Sequence, residues 1–154
     1  MPHPRLEIVA SLIGTWRGDG HGLTPRPFDY VDVWEFFETG KPFVGFVERT
    51  TRDGMPAHTE SGYLRFIDDE GTLEIVASLP TGQTELGTGT VRVDAEGITM
   101  VTDAAVQSTP SATQVTRLVR TFRLVGDSLE YNVDMDWSGG SQEHHLSSTL
   151  TRVS

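Results

Sequence analysis

The feature that most constrains the fold is a strict alternation of apolar and polar residues near the C-terminus, from Leu129 to Trp137. Every second residue of this segment is apolar, and the residues between are acidic or amide side chains. Successive side chains of a β-strand point to opposite faces, so this period of two predicts a strand with one buried face. A helix would distribute the same apolar residues around its axis. The chain is therefore expected to contain a sheet with one face in the core.

Shorter runs of the same kind recur along the chain. We predict further strands at Thr15 to Gly18, Tyr30 to Phe37, Phe43 to Arg49, Gly62 to Ile67, Thr72 to Leu79, Thr84 to Thr88, Thr90 to Val93, Ile98 to Asp103, Val115 to Val125 and His144 to Val153. Turn residues such as Asp53-Gly54 and Gly126-Asp127 separate these runs. Helical spacing is clear only between Leu6 and Ile13, which predicts a short N-terminal helix.

Many short strands with one terminal helix predict an all-β fold. Closing the sheet on itself removes its exposed edges. We therefore expect a ten-stranded antiparallel up-and-down β-barrel, similar to fatty-acid-binding proteins and lipocalins, with a short N-terminal helix. At 154 residues the chain is expected to form a single domain over 1–154.

Composition narrows the classes of function. The absence of cysteine excludes a disulfide framework, a thiolate metal site and covalent attachment of haem through thioethers. A formal net charge of −10, with scattered basic residues, argues against a nucleic-acid partner. The sequence has neither a signal-peptide pattern nor a run of about 18 apolar residues. These features predict a cytoplasmic protein with no membrane partner.

Glycines surround a tryptophan where the predicted helix gives way to the first strand, in Gly14-Thr-Trp16-Arg-Gly18-Asp-Gly20. Glycine allows close approach of backbones, and Trp16 is large enough to plug one end of a barrel. A dinucleotide-binding fingerprint needs a strand followed by a helix, and here the order is reversed. We therefore interpret this motif as structural.

Histidines are the candidate metal ligands in a chain without cysteine: His3, His21, His58, His144 and His145. His58 precedes a predicted strand, and spacing alone leaves it as either a structural residue or a pocket residue. His144 and His145 are adjacent on a predicted strand, so they face opposite sides and cannot both bind one ion. The alternation groups His144 with Leu146 and Leu150, which favours His144 as the inward-facing residue.

In its ordered motifs the chain resembles the nitrobindin family of haem-binding β-barrels. The family's GxWxGxG motif is matched by Gly14, Trp16, Gly18 and Gly20. Further blocks match in the same order: Thr24 with Pro27 to Tyr30, Phe36 to Pro42, His58 to Tyr63, and His145 with Leu146 and Leu150. Each block alone is weak, but the set is specific and extends from Gly14 to Arg152.

The resemblance implies one haem b per chain, bound non-covalently. Carried over residue by residue, it makes His145 the axial ligand of the haem iron and the catalytic residue. It places Thr24 against the haem, with Phe36 and His58 at its distal side. A departure is Ala57, where many relatives carry methionine, which implies a roomier distal pocket.

The resemblance and the alternation disagree over which of the two adjacent histidines faces inward. We choose His145, because the family motif aligns with it without a gap. A β-bulge near Gly139-Gly140 could reset the alternation.

The resemblance also implies an activity, namely binding of nitric oxide and, with ferric haem, isomerisation of peroxynitrite to nitrate. The expected partners are these small molecules, with a homodimer left open. Two alternatives remain at the level of sequence. One is a non-catalytic carrier of a fatty acid or another small apolar ligand, since small barrels often enclose one such molecule. The other is a haem-based sensor of nitric oxide without turnover.

Overall fold

The computed structural model describes residues 2–23, 26–137 and 143–154, and for residues 143 and 144 the backbone only. A 3-10 helix, Pro4–Leu12, precedes ten strands. The strands are β1 (Gly14–Gly22), β2 (Phe28–Glu38), β3 (Phe43–Arg52), β4 (Met55–Phe66), β5 (Thr72–Leu79), β6 (Gln83–Val93), β7 (Ile98–Ser108), β8 (Val115–Val125), β9 (Ser128–Trp137) and β10 (Glu143–Arg152). Within the described ranges, no helix is both long and apolar enough to cross a bilayer.

The strands form one closed barrel. Each strand pairs antiparallel with the next along the chain, and β1 pairs with β10 to complete the ring. The predicted ten-stranded antiparallel up-and-down barrel with a short N-terminal helix is confirmed. Closure gives each described strand a partner on both sides, so the sheet has no edge strand at which another chain could pair.

Several strands extend beyond their predicted ends, and two of them, β6 and β4, differ most from the sequence prediction. Two separate runs were predicted between Thr84 and Val93, but β6 is continuous across them. Gly89, which separated the two predicted runs, pairs with Thr102 on β7, and an added Cβ there would overlap the backbone oxygen of Val101. Strand β4 begins at Met55, earlier than predicted, because Asp53 and Gly54 form a two-residue hairpin with φ of 52° and 77°.

One end of the barrel is filled by aromatic rings. The ring of Trp34 lies 5.4 Å from that of Phe36, 5.5 Å from that of Phe46 and 5.3 Å from that of Phe122. Trp16 is fully buried in the same core, and its indole N–H donates to the carbonyl oxygen of Leu12 at 2.9 Å. The 3-10 helix packs three buried apolar side chains into this core, those of Leu6, Val9 and Leu12. This end of the barrel is therefore sealed.

Candidate functional site

A cavity of about 480 Å³ opens at the other end of the barrel. Its lining comes from the strand ends opposite the sealed core, where β2, β4, β8 and β10 begin and β3, β5 and β9 end. Its volume lies within the range of roughly 300–1,000 Å³ typical of small-molecule sites. The apolar part of the wall consists mainly of Val115, Leu118, Val133, Met135, Trp137 and Leu146.

A β-bulge at the start of β10 brings His145 into this wall. On the partner strand β9, His144 pairs with Asp134 and Leu146 pairs with Val133, so His145 is one residue in excess. A bulge of this kind bends the strand and re-aims its side chains. Both His145 and Leu146 line the cavity although they are adjacent in sequence.

The bulge explains why the alternation and the family motif disagreed. Period two holds from Leu146 to Leu150, but the register shift interrupts it at His145, between His144 and Leu146. The direction of the Leu146 side chain therefore does not predict which way the side chains before the bulge point. The bulge expected near Gly139-Gly140 lies outside the described residues, and the observed one is a few residues later in the chain. The side chain of His144 is also outside the described part.

His58 borders the same cavity from β4, with Ala57 beside it. Its imidazole is 28% exposed, and Nε2 lies 3.1 Å from Oε2 of Glu60. Its backbone N–H donates to the hydroxyl of Thr50 at 3.0 Å, which fixes this part of β4 against β3. The structure thus brings together His58 and His145, which are far apart in sequence, around one cavity.

The other predicted haem contacts are placed differently. Phe36 is 1% exposed and stacks on Trp34 in the sealed aromatic core, and it is absent from the cavity wall. Its contact with a haem stays a prediction, and its position favours an indirect role. Thr24 lies outside the described residues. Of the motif glycines, Gly18 and Gly20 lie on β1 where an added Cβ would overlap β10 backbone and the ring of Tyr30 respectively.

Beneath the cavity lies a layer of buried charge that the sequence analysis missed. The guanidinium of Arg120 donates to both carboxylate oxygens of Glu85, to Glu60, and to the hydroxyl of Tyr131 at 2.7 Å. Burial opposes ionisation of Glu60, but the charges of Arg120 and His58 outweigh it and lower its pKa to about 2. The pKa of Arg120 is raised because its two carboxylate partners outweigh its burial. These shifts keep Glu60 and Arg120 ionised at neutral pH.

A second pair of acids, Asp32 and Glu48, completes the layer. Asp32 accepts hydrogen bonds from the indole of Trp34 at 3.1 Å and from the hydroxyl of Ser148 at 2.7 Å. Burial, reinforced by the negative charges of Glu60 and Asp32, raises the pKa of Glu48 well above its usual value. Burial also raises the pKa of Asp32, although hydrogen bonds, first that from Glu48, oppose the rise. A hydrogen bond joins the two acids.

A signal for this layer was present in the sequence. Arg120 lies in phase with the inward-facing Leu118 and Phe122 on β8, and Glu48 lies in phase with Phe46 on β3. A charged residue that interrupts an apolar row of a strand is expected to face the interior, and buried charges need partners. The partners come from different strands, so their identity could not be read from local spacing.

A closed barrel with one sealed end and a lined cavity at the other defines the class of small ligand-binding β-barrels. The chain matches the family model described as "THAP4-like, heme-binding beta-barrel domain" over residues 5–152. It therefore belongs to this family, to which the sequence motifs had pointed.

Individual relatives agree with the family match. The chain is 41% identical to "Peroxynitrite isomerase 2" of Mycobacterium marinum, covering 99% of this chain and 97% of that protein. It is also 41% identical to "Peroxynitrite isomerase 1" of Mycolicibacterium paratuberculosis, covering 97% and 96%. The crystal structure of Rv2717c from M. tuberculosis superposes with a TM-score of 0.94 at 34% identity and covers all of both chains.

Proposed function

We propose that this protein binds one haem b non-covalently through His145 and, with ferric haem, isomerises peroxynitrite to nitrate. The observation that carries the proposal is the bulge that places His145 in the cavity of a barrel from a heme-binding family. The names of the curated relatives supply the reaction.

The residues of the cavity fit a haem. His145 offers an imidazole, the nitrogen ligand that haem iron commonly takes from proteins. Leu118, Met135, Trp137 and Leu146 offer an apolar wall for a flat apolar macrocycle. The chain has no cysteine to form thioether links, so the group would be held without covalent bonds.

When bound, the ferric haem supplies a Lewis-acidic iron at which peroxynitrite rearranges to nitrate. The chain's own residues would bind and orient the substrate and exclude water from it. Arg52 lines the outer part of the cavity as an exposed cation, which favours entry of an anion into a protein of net negative charge. Ala57 leaves space beside His58, while Glu60 holds the imidazole of His58 by a hydrogen bond.

The charge layer disfavours the alternative of a fatty-acid carrier. A barrel that binds a carboxylate inside needs an interior cation to pair with it. Here Arg120, the buried cation among the described residues, already contacts Glu60 and Glu85 and is not free to pair with a fatty-acid carboxylate. The haem-based sensor differs from the enzyme only in turnover. Binding of nitric oxide, a cytoplasmic location and a homodimer stay predictions.

A hemin titration of the wild type and two single variants tests the ligand. We expect His145→Ala to abolish the stoichiometric shift of the Soret band, because the cavity loses its imidazole at the bulge. His144→Ala is the matched control, one residue away, and should titrate like the wild type. If His144→Ala abolishes the shift and His145→Ala does not, the ligand assignment is wrong. Far-ultraviolet circular dichroism would verify that both variants remain folded.

A further inference from the structure

Three side chains beneath the cavity converge on one point. One donor atom from each of Glu48, His58 and Glu60 lies within 4.8 Å of the other two. The pairing of β3 with β4 explains this convergence, because Glu48 stands directly opposite Glu60. His58 precedes Glu60 by two residues and so shares its face of the strand. All three line the cavity wall.

The surroundings carry an excess of negative charge. Among the residues that the structure describes, the fully or almost fully buried charged side chains are one arginine, Arg120, and four acids: Asp32, Glu48, Glu60 and Glu85. The arginine is engaged by Glu60 and Glu85. Glu48 is 2% exposed, and its Oε1 has no hydrogen-bond donor. A buried carboxylate oxygen with no donor needs a proton or a cation.

Glu60 also has an outer contact of the kind that orients metal ligands in proteins. Arg120 holds Oε1 of Glu60, which leaves Oε2 on the side of His58. The 3.1 Å between Nε2 of His58 and Oε2 of Glu60 is close to the separation of two ligands that each lie about 2.0–2.2 Å from one zinc ion.

We propose that Glu48, His58 and Glu60 form a binding site for a divalent transition-metal ion of the Zn²⁺ class. One imidazole and two carboxylates are a donor set that suits such ions. The open side of the site faces the cavity, so the ion enters there and keeps at least one position for water. The three ligands do not include His145, so binding of the ion does not require haem.

Isothermal titration of Zn²⁺ into the protein as purified, after dialysis against a chelator, tests the proposal. The variants are Glu48→Gln and His58→Gln, with His21→Gln as control, since His21 is a surface histidine that contacts Asp29. We expect one Zn²⁺ per chain in the wild type and the control, and binding at least about tenfold weaker in both site variants.

Equal affinity in the wild type and Glu48→Gln would overturn the proposal, because the ion would then be bound elsewhere on the surface. Failure of the wild type to bind at a one-to-one ratio would overturn it as well. Glu48→Gln preserves the shape of a protonated glutamate, so it is expected to fold and to decide the question even if His58→Gln does not. The haem titration has a separate readout, so failure of either proposal leaves the other testable.

Discussion

At Glu48 the buried carboxyl group makes the stability of the barrel depend on pH. Its pKa is raised in the folded state, chiefly by burial and then by Glu60 and Asp32. Above the pKa of the unfolded chain, unfolding therefore releases a proton, and the free energy of unfolding falls as pH rises towards the folded pKa. Glu48→Gln removes this dependence. We expect the variant to gain stability relative to the wild type as pH rises above the usual pKa range of a glutamate.

Urea denaturation at several pH values, with a chelator present to remove bound cations, would measure this gain. Glu38→Gln is the control, because Glu38 is an exposed acid at the end of β2. A stability difference between wild type and Glu48→Gln that stays constant with pH would show that Glu48 is ionised in the folded protein.

Removal of the buried arginine should cost far more than removal of a surface one. Arg120→Met leaves Glu60 and Glu85 without their cation, and breaking a buried pair in this way typically costs about 3–5 kcal/mol. Arg117→Met removes the half-exposed guanidinium that contacts Asp103 and should change the free energy of unfolding little. Chemical denaturation of both variants gives the comparison.

The triple variant Arg120→Met, Glu60→Gln, Glu85→Gln separates the cost of an unpaired charge from the loss of packing. It should recover a large part of the lost stability, because no ionised acid is left unpaired. If the triple variant is no more stable than Arg120→Met, the loss comes from packing and not from electrostatics.

At the scale of the strands, local spacing predicted most elements but not their irregularities. The alternation that opened the sequence analysis became β9, with almost the predicted bounds. A bulge adds one residue that a period of two cannot register, so spacing alone chose His144. The family motif already includes the extra residue of the bulge, so alignment of whole motifs selected His145. The length of β4 was missed because its first residues are exposed and do not alternate.

The close contact of β1 with β10 depends on Gly18. An added Cβ at this position would overlap the carbonyl oxygen of Thr149, which is backbone and cannot rotate away. Gly18→Val should therefore lower the free energy of unfolding by more than about 2 kcal/mol, although valine favours strands. Arg17→Val, at the exposed neighbouring position, should change it by less than about 0.5 kcal/mol. Similar losses of unfolding free energy in both variants would show that the contact between β1 and β10 can accommodate a side chain at position 18.

At the scale of the whole molecule, the barrel divides into three layers with different tasks. Aromatic rings and the 3-10 helix seal one end, a charged layer crosses the middle, and the cavity opens at the other end. The sequence predicted the barrel because periodicity and turns are local signals. The haem could be predicted only from the family motifs, since closed barrels hold many kinds of ligand. The charged layer joins residues from several strands and emerged only in three dimensions.

The rate and product of peroxynitrite decay test the central claim most directly. Stopped-flow absorbance would follow the decay with ferric haem-loaded wild type, with haem-free protein, and with His145→Ala, and the nitrate and nitrite formed would be quantified. We predict a rate that rises in proportion to the haem-loaded wild type, with nitrate as the main product and little acceleration by the other two. Decay with the haem-loaded wild type no faster than with the haem-free protein would contradict the proposed isomerase.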